Sequence, residues 1–389
     1  CFYNLADSSF IVGVEQMKLQ ISPNMIRWIA DLKHIEPQAL ALEFAPKKEQ
    51  AFLNGIVTKT VATELAKKAN IPFGYLFLQT PPVKQRVDIP DLRQVVGAEP
   101  LSRDFFEVLQ DIEFKQEWFK DYLLDQGNEA LPFVAQFPFH HNLNPNDVVQ
   151  AILNTLGIKD FMAEIQYLSR SDYFRFLVAK FEQVGILVFR NGVVNHNNKR
   201  KLNINEFRGF ALVDSIAPVV FINGADYPAA QLFTLIHEVA HIWIGKSGVS
   251  SWNQEQAVES FCNKVAAEFL MPTMVFCRHW QPENIEQSID ALAALFKVSR
   301  FAVVIKAVTL KLLDQEAIAK EREKLKLSAK SEAAGGNFYN TVKIRQSARF
   351  CDTVLNLAMS RRLPFRTAGK LLNIHADTLI PLYRATRKS

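Results

Sequence analysis

Cysteine is scarce: the 389 residues contain four, Cys1, Cys262, Cys277 and Cys351, with no CxxC pair and no zinc-finger spacing. A disulfide framework is thereby excluded as the organising device, and a reducing, cytoplasmic compartment is expected. Long apolar runs are missing as well. The nearest, Phe210 to Ile222, is interrupted by Asp214 and Pro218, so no membrane helix of about 20 residues can be placed and no membrane partner is expected. No basic stretch followed by an apolar core opens the chain, so a signal peptide is not expected, and Met17 reads as a truer start than the dissimilar residues 1–16. Convincing repeats and low-complexity tracts are also lacking. What remains is ordinary for a soluble protein, with 49% hydrophobic and 22% charged residues. The 30 phenylalanines are spread along helical-looking segments and read as core packing. A chain of this length suggests two to four units.

The net charge of +5 is unevenly placed. Residues 343–389 hold ten Lys or Arg against two acids, a local +8, so the other 342 residues sum to −3. A basic tail of this kind can bind nucleic acid or an acidic partner, or serve as a solvated face.

Punctuation divides the chain. Ser22-Pro23, Glu36-Pro37, Pro46, Asn54-Gly55 and Thr60 mark five short helices over residues 17–80, the outline of a helix-turn-helix domain. Pro81-Pro82 and Ile89-Pro90 mark an extended linker over 81–99. Residues 100–184 read as amphipathic helices. Three β-rich runs follow at Gly185 to Phe189, Phe207 to Val213 and Val219 to Ile222, then a helix from Pro228 to Ile244 and another from about Glu255 to Leu270. Together they define a core over 185–283, with a helical extension over 284–332. Ala333 to Asn337 reads as a flexible joint before a basic C-terminal helical domain at 333–389, itself with two short helices around a turn at Asn373. The fold class expected is α+β, mainly helical and multidomain.

One motif carries chemistry. His237-Glu238-Val239-Ala240-His241 lies in the apolar helix Leu232 to Ile244. Residues i and i+4 share a helix face, so both imidazoles can reach one zinc ion with Glu238 beside them. Zinc sites that do chemistry use three protein ligands and a water, and Glu238 is placed to take and return the proton. Two satisfied core histidines are the bland alternative, but a charged glutamate in so apolar a helix is costly without a functional partner. The third ligand must come from another element. Glu259 is favoured because 18 residues allow a turn and an antiparallel return; Glu255 is its main rival, with Glu268, Cys262 and His279 behind. Mn2+ or Fe2+ would also suit two imidazoles and a carboxylate. Tyr227 and His196 are the candidates for stabilising an oxyanion, and Val219 to Ile222 for an edge strand that a substrate segment joins.

The runs Phe221-Ile222-Asn223-Gly224 and Thr234-Leu235-Ile236-His237-Glu238-Val239-Ala240-His241, with Glu259-Ser260-Phe261-Cys262-Asn263 and Glu268-Phe269-Leu270-Met271-Pro272 downstream, resemble the ImmA/IrrE metallopeptidases. Cys262 stands where many members have alanine. The resemblance covers about residues 180–275 and implies a zincin-like core of a small sheet and the HExxH helix, a zinc site completed by Glu259, and cleavage of a regulatory protein such as a repressor. It also implies a stress-response, mobile-element or toxin–antitoxin setting, the last with a toxin partner. Ala66-Lys67-Lys68-Ala69-Asn70-Ile71-Pro72-Phe73-Gly74-Tyr75-Leu76-Phe77-Leu78 is similar to the close of an Xre-like helix-turn-helix, a type that commonly dimerises. The alternative function is therefore a DNA-binding regulator or antitoxin that uses the zincin fold for protein recognition. Residues 47–54 offer few side chains that read base edges, and residues 17–80 carry only +3.

Overall fold

The computed structural model describes residues 18–32, 35–69, 71, 73–78, 80, 102–246, 252–328 and 338–387. The expected linker at 81–99, the joint at 333–337 and the Met17 start lie outside them. The chain divides into two compact units, 1–86 and 87–389.

In the first unit, α1 (Pro23–Leu32), α2 (Pro37–Phe44), α3 (Glu49–Leu53) and α4 (Lys59–Ala69) are followed by a 3-10 turn at Phe73–Phe77. Ile26, Ile29, Leu40, Phe52, Leu65 and Leu76 form its apolar centre. Two elements were not anticipated: β1 (Lys18–Gln20) and β2 (Ile56–Thr58) pair antiparallel, Leu19 opposite Val57. Strands of three residues are too short for alternation to be read. Gly55 (φ +85°) makes their junction, because a Cβ there would run into the Ile21 carbonyl.

The second unit is built on β3 (Leu187–Asn191), a hairpin of β4 (Val193–Val194) and β5 (Asn197–Lys201), then β6 (Gly209–Leu212) and β7 (Val219–Asn223). The main sheet has the order β3-β7-β6, with β7 parallel to β3 and antiparallel to β6. The run expected to offer a free edge, Val219 to Ile222, is thus the central strand. Its unbroken Val-Val-Phe-Ile sequence states the reason: a strand covered on both faces has no polar alternation.

Helices cover both faces. Before the sheet come α5 (Arg103–Asp125), α6 (Pro145–Thr155), α7 (Phe161–Ile165) and α8 (Arg170–Gln183); after it come α9 (Pro228–Ile244), α10 (Trp252–Leu270), α11 (Thr273–His279), α12 (Ile285–Phe296), α13 (Arg300–Thr309) and α14 (Glu316–Ser328). Val188, Ala211, Val220 and Ile222 point to the face shared with α6, α8, α9 and α10. The intervening residues Leu187, Phe189, Phe210, Leu212, Val219 and Phe221 point the other way. That second face is closed by α5 and by α15 (Phe338–Arg345), α16 (Ala348–Met359), α17 (Phe365–Leu372) and α18 (Leu379–Thr386). The residues expected to form a separate C-terminal domain therefore share a core with the sheet: Phe350 meets Phe189 at 5.6 Å and Phe119 at 5.8 Å. Glu182, at the end of α8, ties the layers by accepting from the Ala348 N–H (3.0 Å) and the Ser347 hydroxyl (2.5 Å).

Candidate metal centre

α9 begins at Pro228, suited to a first helical turn, and ends at Gly245, whose left-handed φ of +69° closes the helix. A Cβ at Gly245 would collide with Ala135. Residues 131–137 pass there, Ala135 and Phe137 donating their N–H groups to the carbonyls of Ile242 (2.9 Å) and Trp243 (3.0 Å). The turn also carries Lys246 back over the helix: its N–H donates to the His241 carbonyl at 3.1 Å, and its own carbonyl accepts from His241 Nδ1 at 3.0 Å.

The two histidines lie one turn apart on α9, their Nε2 atoms 3.3 Å from each other. Glu259 of α10 faces both, with Oε2 3.0 Å from His237 Nε2 and Oε1 3.2 Å from His241 Nε2. One turn further, Asn263 Oδ1 accepts from His237 Nδ1 at 3.0 Å. A carbonyl and an amide oxygen can only accept, so both Nδ1 atoms carry the proton and both Nε2 lone pairs face the common space. The ligand atoms of His237, His241 and Glu259 lie within 4.8 Å of one another. Two imidazoles and a carboxylate, the rings oriented through their outer nitrogens, fit zinc.

Glu238 lies on the side of α9 turned to the sheet and is buried. Gly209 of β6 makes the room: a Cβ there would stand 3.1 Å from Glu238 Oε1 and 2.6 Å from Thr234 Cγ2. Burial pushes the Glu238 carboxyl up, opposed by the neighbouring His237 and His241. Burial acts on Glu259 in the same sense, but hydrogen bonds from His237 and His241 overcome it and hold the carboxylate well below the usual range. For His241 burial favours the neutral ring, yet Cys262, Glu259 and Glu238 together raise it well above an ordinary imidazole.

The other candidates are placed elsewhere. Glu268 accepts from the Thr273 N–H (2.8 Å) and from Lys306 Nζ (2.6 Å), a bracket between α10, α11 and α13. Cys262 is buried against His241 but outside the group of three. His279 bonds the Val275 carbonyl of its own helix at 2.9 Å. The Glu255 side chain lies outside the described residues. His196 sits in the β4–β5 turn against the C-terminal helices, 2.9 Å from Gln346 Nε2, and burial lowers it to about 4. Tyr227 caps the start of α9, exposed, ten residues and so about 15 Å of helix from His237. Neither oxyanion candidate meets the three ligands. Sequence reasoning assigned no role to Asn263, the Lys246 carbonyl or Gly209. Only the Glu259–Asn263 spacing of four carried a readable signal, one helix face.

Residues 181–307 match the family described as IrrE N-terminal-like domain, a peptidase family. The match takes in β3 to β7, α9 to α12 and most of α13, and supports a metallopeptidase of the ImmA/IrrE type, a class that is metal-dependent and usually uses zinc. No curated protein matches the chain.

Proposed function

We propose that the chain is a zinc endopeptidase cutting a regulatory, repressor-like protein partner, with His237, His241 and Glu259 as ligands and Glu238 as general base. The observation that carries this reading is the convergence of three ligand atoms within 4.8 Å beside a buried carboxylate. When bound, the ion supplies Lewis acidity, lowering the pKa of a water and polarising a carbonyl. The Glu238 carboxylate would accept a proton from the attacking water and return it to the departing amine; burial, by raising its pKa, suits it to both halves of the transfer. Lys246 and Asn263 hold the imidazoles in the tautomer that leaves Nε2 free.

The edge for a substrate segment is β6. The Asn223 N–H bonds the Arg208 carbonyl at 2.8 Å, so by the alternation of antiparallel pairing Gly209 and Ala211 turn their N–H and C=O groups away from β7. No other described strand pairs with β6 on that side. An extended segment joining it would run beside Glu238, which borders Gly209.

Glu238→Gln tests the reading. It should keep about one zinc per chain, as measured by metal analysis, and lower hydrolysis of the partner at least ~100-fold. A His237→Ala, His241→Ala double variant should lose the metal. Unchanged hydrolysis by Glu238→Gln, or a parent protein that takes up no divalent metal, would overturn it.

A further inference from the structure

We propose that α17, the turn after it and α18 form a helix-turn-helix unit whose exposed arginine face binds double-stranded DNA. This rests on residues remote in sequence from the metal centre and does not depend on the peptidase reading.

The local geometry is that of the motif. Asn373 ends α17 in the left-handed region (φ 55°, ψ 37°) and donates its N–H to the Gly369 and Lys370 carbonyls. Ile374 N–H then bonds back to the Gly369 carbonyl at 2.9 Å. The turn lies so close on α17 that a Cβ at Gly369 would stand 2.8 Å from the Ile374 carbonyl oxygen and 3.3 Å from the Ala376 nitrogen. Residues 373–375 thus join α17 to the 3-10 turn Ala376–Thr378, which runs into α18. A connection of three residues, tight against a glycine, matches what helix-turn-helix pairs use. Ala368, Leu371 and Leu372 of α17 and Leu379 and Leu382 of α18 are buried with Phe350, Val354 and Ala358 of α16, the supporting third helix.

The outer face is basic. Arg361, Arg362 and Arg366 are exposed at the α16–α17 corner, and Arg384 is exposed on α18 in a stripe with Ile380, Pro381 and Arg387. None of the first four has an acidic partner among the described residues. Arg387 lies over the Tyr383 ring at 4.6 Å, and Lys370 over Phe114 at 4.9 Å. The acids nearby in sequence are Asp377, exposed at the start of α18, and Asp352, which is paired with Lys343 at 3.0 Å. Arg361 also holds φ +60°, a left-handed position that costs a side-chain-bearing residue about 1–2 kcal/mol and that glycine would fill without strain. An unpaired charge is kept there at the expense of backbone comfort.

Duplex DNA fits this face better than other polyanions. α18 is a helix of eight residues, and the diameter of a helix, about 10–12 Å, is what a major groove admits. The exposed His375, just ahead of α18, stands where the N-terminal end of the second helix of such a pair meets base edges, and Arg384 in the last turn joins the corner arginines as a phosphate contact. Unpaired bases would call for a row of exposed rings, and Phe365 is the one exposed aromatic side chain of α17 and α18.

The test is fluorescence anisotropy of the full chain with a labelled mixed-sequence duplex of about 24 bp, titrated at about 50 to 200 mM salt. Replacing Arg361, Arg362, Arg366 and Arg384 together by Gln should weaken binding at least ~10-fold at the low-salt end and flatten the log–log salt slope by about 3.6. Arg384→Gln alone, a single exposed change that keeps the fold even should the quadruple variant not, should weaken it about threefold or more. Lys47→Gln with Lys48→Gln, in the first unit, should leave binding within about twofold, and zinc content should not change in any variant. The proposal is overturned by a parent that does not bind, by arginine variants that bind as the parent does, by loss that follows Lys47 and Lys48 instead, or by single-stranded RNA of equal length binding as tightly.

Discussion

A histidine serves a metal only through a bare nitrogen, and which nitrogen is bare depends on what touches the other one. Here an amide oxygen of Asn263 and the carbonyl of Lys246 settle the matter for His237 and His241. Asn263→Leu should therefore weaken zinc binding about 10- to 100-fold in a chelator competition while the fold persists. A second prediction concerns protons. Burial favours the neutral ring, but Cys262, Glu259 and Glu238 outweigh it, so His241 of the metal-free protein holds a second proton more tightly than an ordinary imidazole does. Zinc competes with that proton, so calorimetry in buffers of different ionisation heat should show proton release on metal binding that grows as pH is lowered. The imidazolium's contribution to stability is full below the ordinary histidine range and is lost as pH rises through the elevated value, so metal-free protein should soften on the alkaline side. At this scale the sequence was legible where a fixed spacing sets a shared helix face, as for His237 and His241, whose ligand atoms gather with that of Glu259. The Lys246 carbonyl was not, because a backbone group leaves no trace in residue identity. Gly209 was not, because its role is the space it leaves for Glu238.

Elements were legible where apolar residues set a rhythm or an unbroken run. The periodicity beginning at Pro228 gave way at Ile244, where α9 ends, and the later β-rich runs fell close to β3, β6 and β7. Strand order was another matter. Which strand sits in the middle is decided by pairing partners far away in the chain, so the expected edge became the centre. The hairpin of β4 and β5 escaped because β4 has two residues, β5 is the wholly polar Asn-Asn-Lys-Arg-Lys, and the turn uses Asn195 and His196 in the left-handed region with no glycine. Between helices, the Glu268–Lys306 bracket gives a pH prediction. Hydrogen bonds from Lys306 and Thr273 hold the Glu268 carboxyl below its usual range in spite of burial. A depressed carboxylate contributes stability above the unfolded-state value and loses it as pH falls through the folded one. Glu268→Gln should cost about 3 kcal/mol in denaturant unfolding at pH 7, since it strands a buried lysine. The gap to the parent should close below about pH 4.

At the scale of the whole molecule, the second unit wraps one small sheet with helices drawn from before and after the peptidase motif. Deleting residues 338–389 would bare Phe189 and Phe221 on the far side of the sheet from α9. We expect the shortened chain to aggregate and to lose its zinc, as read by size-exclusion chromatography and metal analysis; a monomeric, zinc-bound product would contradict the shared core. The order of that wrapping also sets a clock. The HExxH helix and its partner carboxylate leave the ribosome over a hundred residues before Leu382, an interval on the order of ten seconds. Throughout it the strands are already made but the second face of the sheet waits for α15 to α18, so a nascent chain carries all three candidate ligands well before the scaffold beneath them is closed.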